Sequence, residues 1–218
     1  MSTPSTDGRL ARTRLTRARV AEAAARLFTT GGYAATSIQS VAAEAGVAAQ
    51  TVYNAFGTKA AVLKEALDQA VAGDAEPVAT LDRPWVREAL TAPGAREQIR
   101  LQVAGTASIM ERVAPLSEVV RGAADSDDDL RTLWRTNVDQ RGAVQRAFAE
   151  RLAERGALRP GLTVDEAADT ALALLSPEVF TLHTVWCGWS VDRWRAWAAD
   201  ALLRQLTDLA SAPAPEAG

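Results

Sequence analysis

The stretch TSIQSVAAEAGVAAQTVYNAFGTK, residues Thr36–Lys59, decides the fold of this chain. In its first half, apolar residues stand at positions i, i+3, i+4 and i+7, namely Ile38, Val41, Ala42 and Ala45. This spacing predicts one apolar stripe on a short helix. Thr36 and Gln39 are spaced as a capping box at the start of that helix, and Gly46 supplies a permissive backbone at its end. A second short helix follows directly. The pattern predicts a helix–turn–helix motif.

The second helix of the motif presents a polar face without acidic side chains. Val52, Ala55 and Phe56 are expected to face the core, while the outward residues are Gln50, Thr51, Tyr53 and Asn54. Amide side chains can each form two hydrogen bonds with adenine, and a threonine methyl can pack on thymine. The alternative is an ordinary solvated helix face, but such faces usually carry Lys and Glu, which are absent from Ala48 to Phe56. The face favours insertion into the major groove of DNA.

A longer pattern surrounds this motif, from about Thr13 to Gly73. It consists of Ala24-Ala25-Arg26-Leu27-Phe28, Gly31-Gly32-Tyr33, Thr36-Ser37, Val41-Ala42, Ala45-Gly46-Val47, Thr51-Val52-Tyr53, Phe56 and Lys59. In these positions the chain resembles the DNA-binding domain of the tetracycline-repressor (TetR) family of bacterial transcription regulators. The resemblance implies contacts to a double-stranded DNA operator by Gln50, Thr51, Tyr53 and Asn54, and phosphate contacts by Thr36, Ser37, Tyr53 and Lys59.

Two further observations qualify these contacts. Lys59 stands in the first turn of the next helix, where the helix dipole disfavours a cation, and a bound phosphate would remove that conflict. Ala48, Ala49 and Ala55 replace polar residues that the family often has nearby. Recognition is therefore expected to rely more on apolar contact or on DNA shape.

Composition predicts an all-α protein. Hydrophobic residues make up 48% of the 218, largely Ala and Leu, and runs of β-branched residues are nearly absent. The length is sufficient for one large or two small domains. The predicted order is a disordered basic arm over 1–12, a DNA-binding domain over 13–73 with the helix–turn–helix at 37–56, a helical effector-binding and dimerisation domain over 74–210, and a disordered tail over 211–218.

Charge is distributed unevenly along the chain. Residues 1–60 contain seven Lys and Arg against three acids, a net charge of +4, whereas the rest of the chain is net negative because the total is −3. A basic N-terminal part joined to an acidic body suits a DNA-binding protein. For the cluster Arg9, Arg12, Arg14, Arg17 and Arg19, contact with phosphates or a minor groove and an ordinary solvated tail both remain open.

Neither a membrane span nor a signal peptide is expected. No apolar run approaches about 18 residues, and the N-terminus lacks an apolar core segment. The single cysteine, Cys187, excludes an intramolecular disulfide and fits a reducing compartment. The expected location is the cytoplasm.

Start and stop signals divide the remaining helices. A first helix over about Leu15–Thr30 is expected to end at Gly31-Gly32, and a later helix from Ala95 to end before Pro115, with a shorter one over Leu116–Ala123. The acidic run Ser126–Asp129 is interpreted as the first turn of a helix rather than as a cation site. Thr163 and Glu166 form another capping box.

The C-terminal part is predicted to bind an effector and to dimerise. The resemblance implies a small-molecule effector between its helices and a four-helix dimer interface, and a two-fold dimer would place two recognition helices about 34 Å apart. Pocket candidates, chosen as large side chains on central helices, are Ile109, Met110, Trp134, Val138, Phe148 and Phe180. Dimer-interface candidates are Ala168, Leu172, Leu175, Trp194, Trp197 and Ala201. Each candidate is also compatible with ordinary core packing.

No catalytic chemistry is recognised in the sequence. His183 and Cys187 lie four residues apart, but no further ligand completes a metal site and no orienting acid completes a nucleophile pair. No cofactor or metal is therefore predicted. The leading hypothesis is a homodimeric repressor that a small-molecule effector releases from its operator. The alternatives are a regulator without an effector, a helical enzyme using His183 or Cys187, and an interaction module that uses the C-terminal tryptophans.

Overall fold

The protein is all-α in the residues that its computed structural model describes, 6–73 and 80–208, where no strand occurs. This confirms the predicted fold class. The helices are α1 (Thr6–Ala35), α2 (Ile38–Ala45), α3 (Ala49–Phe56), α4 (Lys59–Ala72), α5 (Pro84–Thr91), α6 (Ala95–Ala123), α7 (Asp128–Glu154), α8 (Val164–Leu174), α9 (Pro177–Thr181) and α10 (Val191–Leu206). A 3-10 turn covers Thr80–Asp82, and a π-helical turn covers Leu182–Trp186.

The chain forms two compact units. The first comprises Met1–Pro77 and Pro115–Arg135. Within it, α1 packs against α2 and α4, and α2 packs against α3. Phe28 of α1, Val41 of α2 and Leu63 of α4 are fully buried, so the apolar stripes recognised in the sequence meet in one core.

The second unit comprises Val78–Ala114 and Thr136–Gly218. Its larger apolar cluster joins α6, α7, α8, α9 and α10 and includes Ile99, Leu152 and Trp194. A smaller cluster joins α5 to α7 through Val86 and Phe148. This arrangement differs from the predicted contiguous domains 13–73 and 74–210, because α6 and α7 each contribute residues to both units. The sequence did not indicate this, since packing between distant segments leaves no local compositional signal.

The predicted start of the first helix needs correction. The basic arm over 1–12 was predicted to be disordered, but α1 already begins at Thr6. Residues 1–5 and the predicted tail over 211–218 lie outside the described part of the chain. At its other end, α1 is interrupted by Gly32, whose φ of 77° is left-handed, as the Gly31-Gly32 pair predicted.

Pro115 does not end a helix, contrary to the prediction. Helix α6 continues through it from Ala95 to Ala123 as one element. A proline inside a helix removes one backbone hydrogen bond, at roughly 3 kcal/mol. Buried apolar residues on both sides, Ala114 and Leu116, provide the packing that offsets this cost. Among the described helices, none is long and apolar enough to cross a membrane.

Candidate nucleic-acid interface

The first helix of the motif begins with a different cap from the predicted one. Ser37, not Thr36, is the N-cap of α2, and it exchanges hydrogen bonds with Ser40 in a capping box. The Thr36 hydroxyl is buried and donates to the carbonyl oxygens of Leu27 and Gly32 at 3.2 and 2.9 Å. The predicted Thr36–Gln39 box is therefore wrong. Thr36 closes the end of α1, and its hydroxyl points inward rather than towards a phosphate.

The turn and the second helix agree with the sequence pattern in most respects. Gly46 ends α2 in the left-handed region, with φ 64° and ψ 41°. In α3, Val52 is buried, while Gln50, Thr51, Tyr53 and Asn54 are exposed together. Ala55 is exposed as well, which corrects its predicted core position. In a helix of eight residues, Val52 and the partly buried Phe56 one turn later already occupy the inward face.

The exposed face of α3 is ordered by hydrogen bonds between its own side chains. The Gln50 Nε2 donates to Asn54 Oδ1 at 2.8 Å. The Gln39 Nε2, on α2, donates to the Tyr53 hydroxyl at 3.3 Å. The exposed surface therefore presents amide donors and acceptors and one phenol hydroxyl to a bound molecule. Such a set suits the edges of base pairs and phosphate oxygens.

Two arginines of α1 hold the ends of both motif helices. The Arg19 Nη2 donates to the carbonyl of Ala45, the last residue of α2, at 2.6 Å. The Arg17 Nη1 donates to the Ala55 carbonyl near the end of α3 at 3.2 Å. Arg17 also forms an ion pair with Glu65, and its guanidinium lies 4.4 Å from the centre of the Phe56 ring. Cations at helix C-termini complement the helix dipole.

These positions were not recognised in the sequence. Arg17 and Arg19 were counted with the basic arm, together with Arg9, Arg12 and Arg14. The structure places both inside α1, where they contact the motif, and it leaves Arg12 and Arg14 exposed. The helix predicted over about Leu15–Thr30 already included both arginines, but their contacts with the motif were not recognised. No local signal identifies their partners, which lie 38 and 26 residues away.

Lys59 has protein partners at the start of α4. Its Nζ donates to the Tyr33 carbonyl at 2.7 Å and lies 4.0 Å from the centre of the Tyr33 ring. Thr58 caps α4 by accepting a hydrogen bond from the Ala61 N–H at 3.1 Å. The conflict between Lys59 and the helix dipole is thus relieved by Tyr33 within the protein. A phosphate contact by Lys59 remains a prediction.

Tyr33 connects this site to the start of α7. It stacks on Phe28 with ring centroids 5.8 Å apart, and its hydroxyl donates to Asp127 Oδ2 at 2.9 Å. Burial and the hydrogen bond with Asp127 both raise the pKa of Tyr33, so the phenol remains a donor at neutral pH. Asp127 Oδ1 accepts from the N–H groups of Asp129 and Leu130. The acidic run therefore starts a helix, as predicted.

The six predicted pocket residues do not form one group. Met110 and Phe180 belong to the larger apolar cluster of the second unit, and Phe148 belongs to the smaller one. Ile109 and Val138 are partly buried in the same unit, whereas Trp134 falls in the first unit. The set was chosen by side-chain size, which does not distinguish between separate packing clusters.

Several predicted dimer-interface residues are buried in the core instead. Trp194 is 0% exposed and meets the Phe180 ring edge-on, with centroids 5.0 Å apart. Ala168 and Leu175 are buried in the same cluster, so these three are not available to a partner. Leu172, Trp197 and Ala201 are partly buried. Helical spacing identifies an apolar stripe, but it does not say whether the stripe meets the protein's own core or a second chain.

The C-terminal tryptophans do not enclose an empty aromatic site. The ring of His183 lies 4.4 Å from both Trp189 and Trp197, between centroids, and fills the space that an aromatic ligand cage would need. His183 Nδ1 is 2.8 Å from the Val179 carbonyl, while Cys187 is exposed. No three His, Cys, Asp or Glu side chains within the described ranges are grouped to hold a metal ion.

The described residues form helices only, and the basic segment 1–60 displays a polar helix after a glycine turn. This is the architecture of a helix–turn–helix DNA-binding protein. Comparison with known proteins agrees. Residues 20–66 match the family model described as bacterial regulatory proteins, tetR family. Over these residues the chain has the sequence pattern of a tetR-family DNA-binding domain, which confirms the resemblance recognised in the sequence.

Solved structures share this fold over most of the chain. The TetR-family regulator PfmR from Thermus thermophilus is 25% identical, with a TM-score of 0.62 over 85% of this chain and 97% of that one. NalD, the secondary repressor of the MexAB-OprM multidrug efflux pump in Pseudomonas aeruginosa, is 21% identical, with a TM-score of 0.66 over 88% and 97%. A regulator from Saccharomonospora viridis, solved in complex with choline, is 24% identical, with a TM-score of 0.69 over 88% and 97%. No curated protein matches the chain.

Proposed function

We propose that this regulator is a homodimeric repressor that binds a specific operator through α3 and is released by a small-molecule effector. The observation that carries the proposal is the exposed face of α3, where Gln50, Thr51, Tyr53 and Asn54 stand together above the buried Val52. An amide-rich face without charge suits the reading of base edges, while phosphate contacts supply affinity. The exposed Arg12 and Arg14 and the cap residue Ser37 are the proposed phosphate contacts, with Tyr53 and Lys59 beside them.

Arg19 is expected to position α3 without touching DNA. Arg19→Ala removes the hydrogen bond that holds the end of α2. In the variant, DNA binding must then order the motif, which reduces the free energy of binding. Operator affinity should fall about three- to tenfold, equivalent to roughly 1 kcal/mol for one hydrogen bond. Fluorescence anisotropy with a labelled operator measures the change. Arg26→Ala is the matched control, because it removes the same charge from α1 and breaks only exposed ion pairs with Glu22 and Glu44. Equal losses in the two variants would show that only charge matters.

The proposed dimer surface lies between α9 and α10 and differs from the predicted one. Leu182, Val185 and Trp186 are 51%, 67% and 78% exposed, which is unusual for such large apolar side chains. From Val179 to Val191 the sequence contains no Asp, Glu, Lys or Arg, although 23% of the chain is charged. In a two-fold dimer the same patch faces itself, so a patch without formal charge avoids like-charge repulsion.

Trp186→Glu should dissociate the dimer. Two glutamates would face each other across the two-fold axis, and an interfacial tryptophan typically contributes at least about 2 kcal/mol, or roughly thirtyfold in the dimer dissociation constant. Sedimentation equilibrium of the full chain measures this constant. Leu81→Glu is the control, because Leu81 is an apolar residue of the same unit that is 41% exposed. An unchanged dimer in Trp186→Glu would place the interface elsewhere.

The effector response is proposed to travel along α6 and α7, which supply residues to both units. Asp127 directly precedes α7 and accepts a hydrogen bond from the Tyr33 hydroxyl, and the Tyr33 carbonyl in turn accepts one from Lys59 at the start of α4. A ligand that changes the position of α6 or α7 would therefore act on residues next to α3. A coupling of about 1–3 kcal/mol would weaken operator binding about 5- to 150-fold. The choline complex of the Saccharomonospora viridis relative supports a small-molecule ligand in this fold.

The proposed function is tested in two steps. Selection of bound duplexes from random DNA should yield a two-fold symmetric site, with half-sites about one helical turn apart. A small-molecule library is then tested for release of that site. Recovery of no preferred sequence would reject the specific repressor, and a preferred site that no compound releases would favour a regulator without an effector.

A further inference from the structure

A set of polar side chains crosses the apolar interior of the second unit. We call Gln98, Gln102 and Gln145 the glutamine seam. Gln98 and Gln102 lie one turn apart on α6 and are 0% and 1% exposed. The Gln98 Nε2 donates to the Phe148 carbonyl at 2.8 Å, and the Gln102 Nε2 donates to Gln145 Oε1 at 2.6 Å. The amide nitrogens of α6 thus hold α7.

The side-chain amide oxygens of Gln98 and Gln102 have no hydrogen-bond partner of this kind. The Oε1 atoms of Gln98 and Gln102 accept no hydrogen bond from the residues that the structure describes. A buried acceptor without a donor loses the hydrogen bonding that water gave it in the unfolded chain. Residues four apart on a helix are neighbours on one face, with Cβ atoms about 5–6 Å apart. The two residues whose amide oxygens lack a donor are therefore neighbours on one face of α6, and one small molecule with two donors can serve both.

An aromatic ring covers the same face of α6 one turn further on. Gly105 follows Gln98 by seven residues, so it lies on the same helical stripe. A Cβ atom at Gly105 would be only 2.1 Å from Cε3 of Trp85, which shows that the indole rests directly on the α6 backbone. The Trp85 ring centre is 6.2 Å from that of Phe148, and Trp85 is partly exposed. The indole therefore lies between the α6 backbone at Gly105 and the Phe148 ring, and part of it is exposed.

We propose that a flat, uncharged ring compound with two N–H donors binds here, in the place of the Trp85 indole, and donates to Oε1 of Gln98 and Gln102. A ring fits between Gly105 and Phe148 as the indole does. A charged ligand is disfavoured because the glutamine seam offers no countercharge in a buried setting. The inference rests on the proposed function, because it identifies the chemical class of the effector, and α6 and α7 are the helices that the ligand would separate or tighten.

The test uses 2-benzimidazolinone as the probe, a neutral bicycle close to indole in size with two N–H groups. Isothermal titration calorimetry on the full chain should show Trp85→Ala binding the probe about tenfold more tightly than the unaltered protein, because the indole no longer competes. 1,3-Dimethyl-2-benzimidazolinone, in which both donors are capped, should bind Trp85→Ala at least about tenfold more weakly, the effect of losing two hydrogen bonds. Trp85→Phe is a second variant that keeps an aromatic side chain on α5.

Two leucine substitutions locate the recognised atoms. In the Trp85→Ala background, Gln98→Leu and Gln102→Leu should each weaken the probe several-fold but leave the dimethyl compound unchanged. Thermal unfolding identifies any variant that does not fold, and Gln140→Leu, on the exposed part of α7, is the matched control. Equal binding of the two compounds to Trp85→Ala would overturn the proposal, as would unchanged binding of the probe when either leucine substitution is added. If a library compound releases the operator but binds the leucine variants normally, this inference is wrong and the proposed function stands.

Discussion

Replacing Gln50 and Asn54 together by alanine should abolish the preference of the protein for its operator over unrelated DNA. Each amide that pairs with a base edge contributes about 1–3 kcal/mol of discrimination, so the pair should contribute at least about thirtyfold. The two side chains are hydrogen-bonded to each other, so removal of one also changes the other. The single variants should therefore be non-additive in a double-mutant cycle.

The salt dependence of binding separates base reading from charge. Because amides neutralise no phosphate, the slope of log affinity against log salt should be unchanged in the double variant. Binding to random duplexes should also be retained. Gln140→Ala, at an exposed position of α7, is the control and should bind like the unaltered protein. A parallel loss on random DNA would mean that Gln50 and Asn54 maintain the structure of α3 rather than read bases.

Trp194→Ala should remove about 3–5 kcal/mol from the free energy of unfolding of the second unit, the usual cost of truncating a buried tryptophan. The side chain is fully buried against Phe180 in the larger apolar cluster, and the residues around a truncated core side chain relax only partly into the space it leaves. Urea unfolding followed by circular dichroism measures the loss. Trp194→Phe should lose much less, because it keeps most of the ring and removes an indole N–H that has no described partner.

Protein concentration distinguishes the core from an interface. A residue buried within one chain changes the urea midpoint equally at all concentrations, whereas an interface residue makes the midpoint depend on concentration. Trp197→Ala, at the partly buried neighbour beside His183, should have a smaller effect. If the loss in Trp194→Ala shrank as protein concentration rose, the original interface prediction would be restored.

The sequence predicted the parts of this protein that depend on short spacing. The stripe on α2, the left-handed Gly46 and the capping box at Thr163 and Glu166 each involve residues within four positions of one another. The polar face of α3 followed from the same helical period. These features are determined locally, so one sequence is sufficient to recognise them.

Features that depend on distant segments were missed or misplaced. Thr36 was placed at a helix start, but its hydroxyl bonds backward to the end of α1. Arg17 and Arg19 were assigned to the basic cluster at the N-terminus, because their partners lie 38 and 26 residues away and leave no local signal. Trp194 was placed at an interface because a helical stripe does not reveal what covers it. Pro115 was expected to break α6, but tertiary packing on both sides outweighs the lost hydrogen bond.

The contacts of Arg17 and Arg19 also bear on the order in which the chain folds. The last turns of α2 and α3 depend on side chains that precede them by 26 and 38 residues, so neither turn is complete until α1 is present. During synthesis α1 leaves the ribosome first, and at about 5–20 residues per second Phe56 follows within a few seconds. Helices α2 and α3 thus pack onto a helix that was synthesised before them. A fragment that begins after Arg19 should contain all the residues of the recognition surface but lack the contacts that fix the ends of α2 and α3.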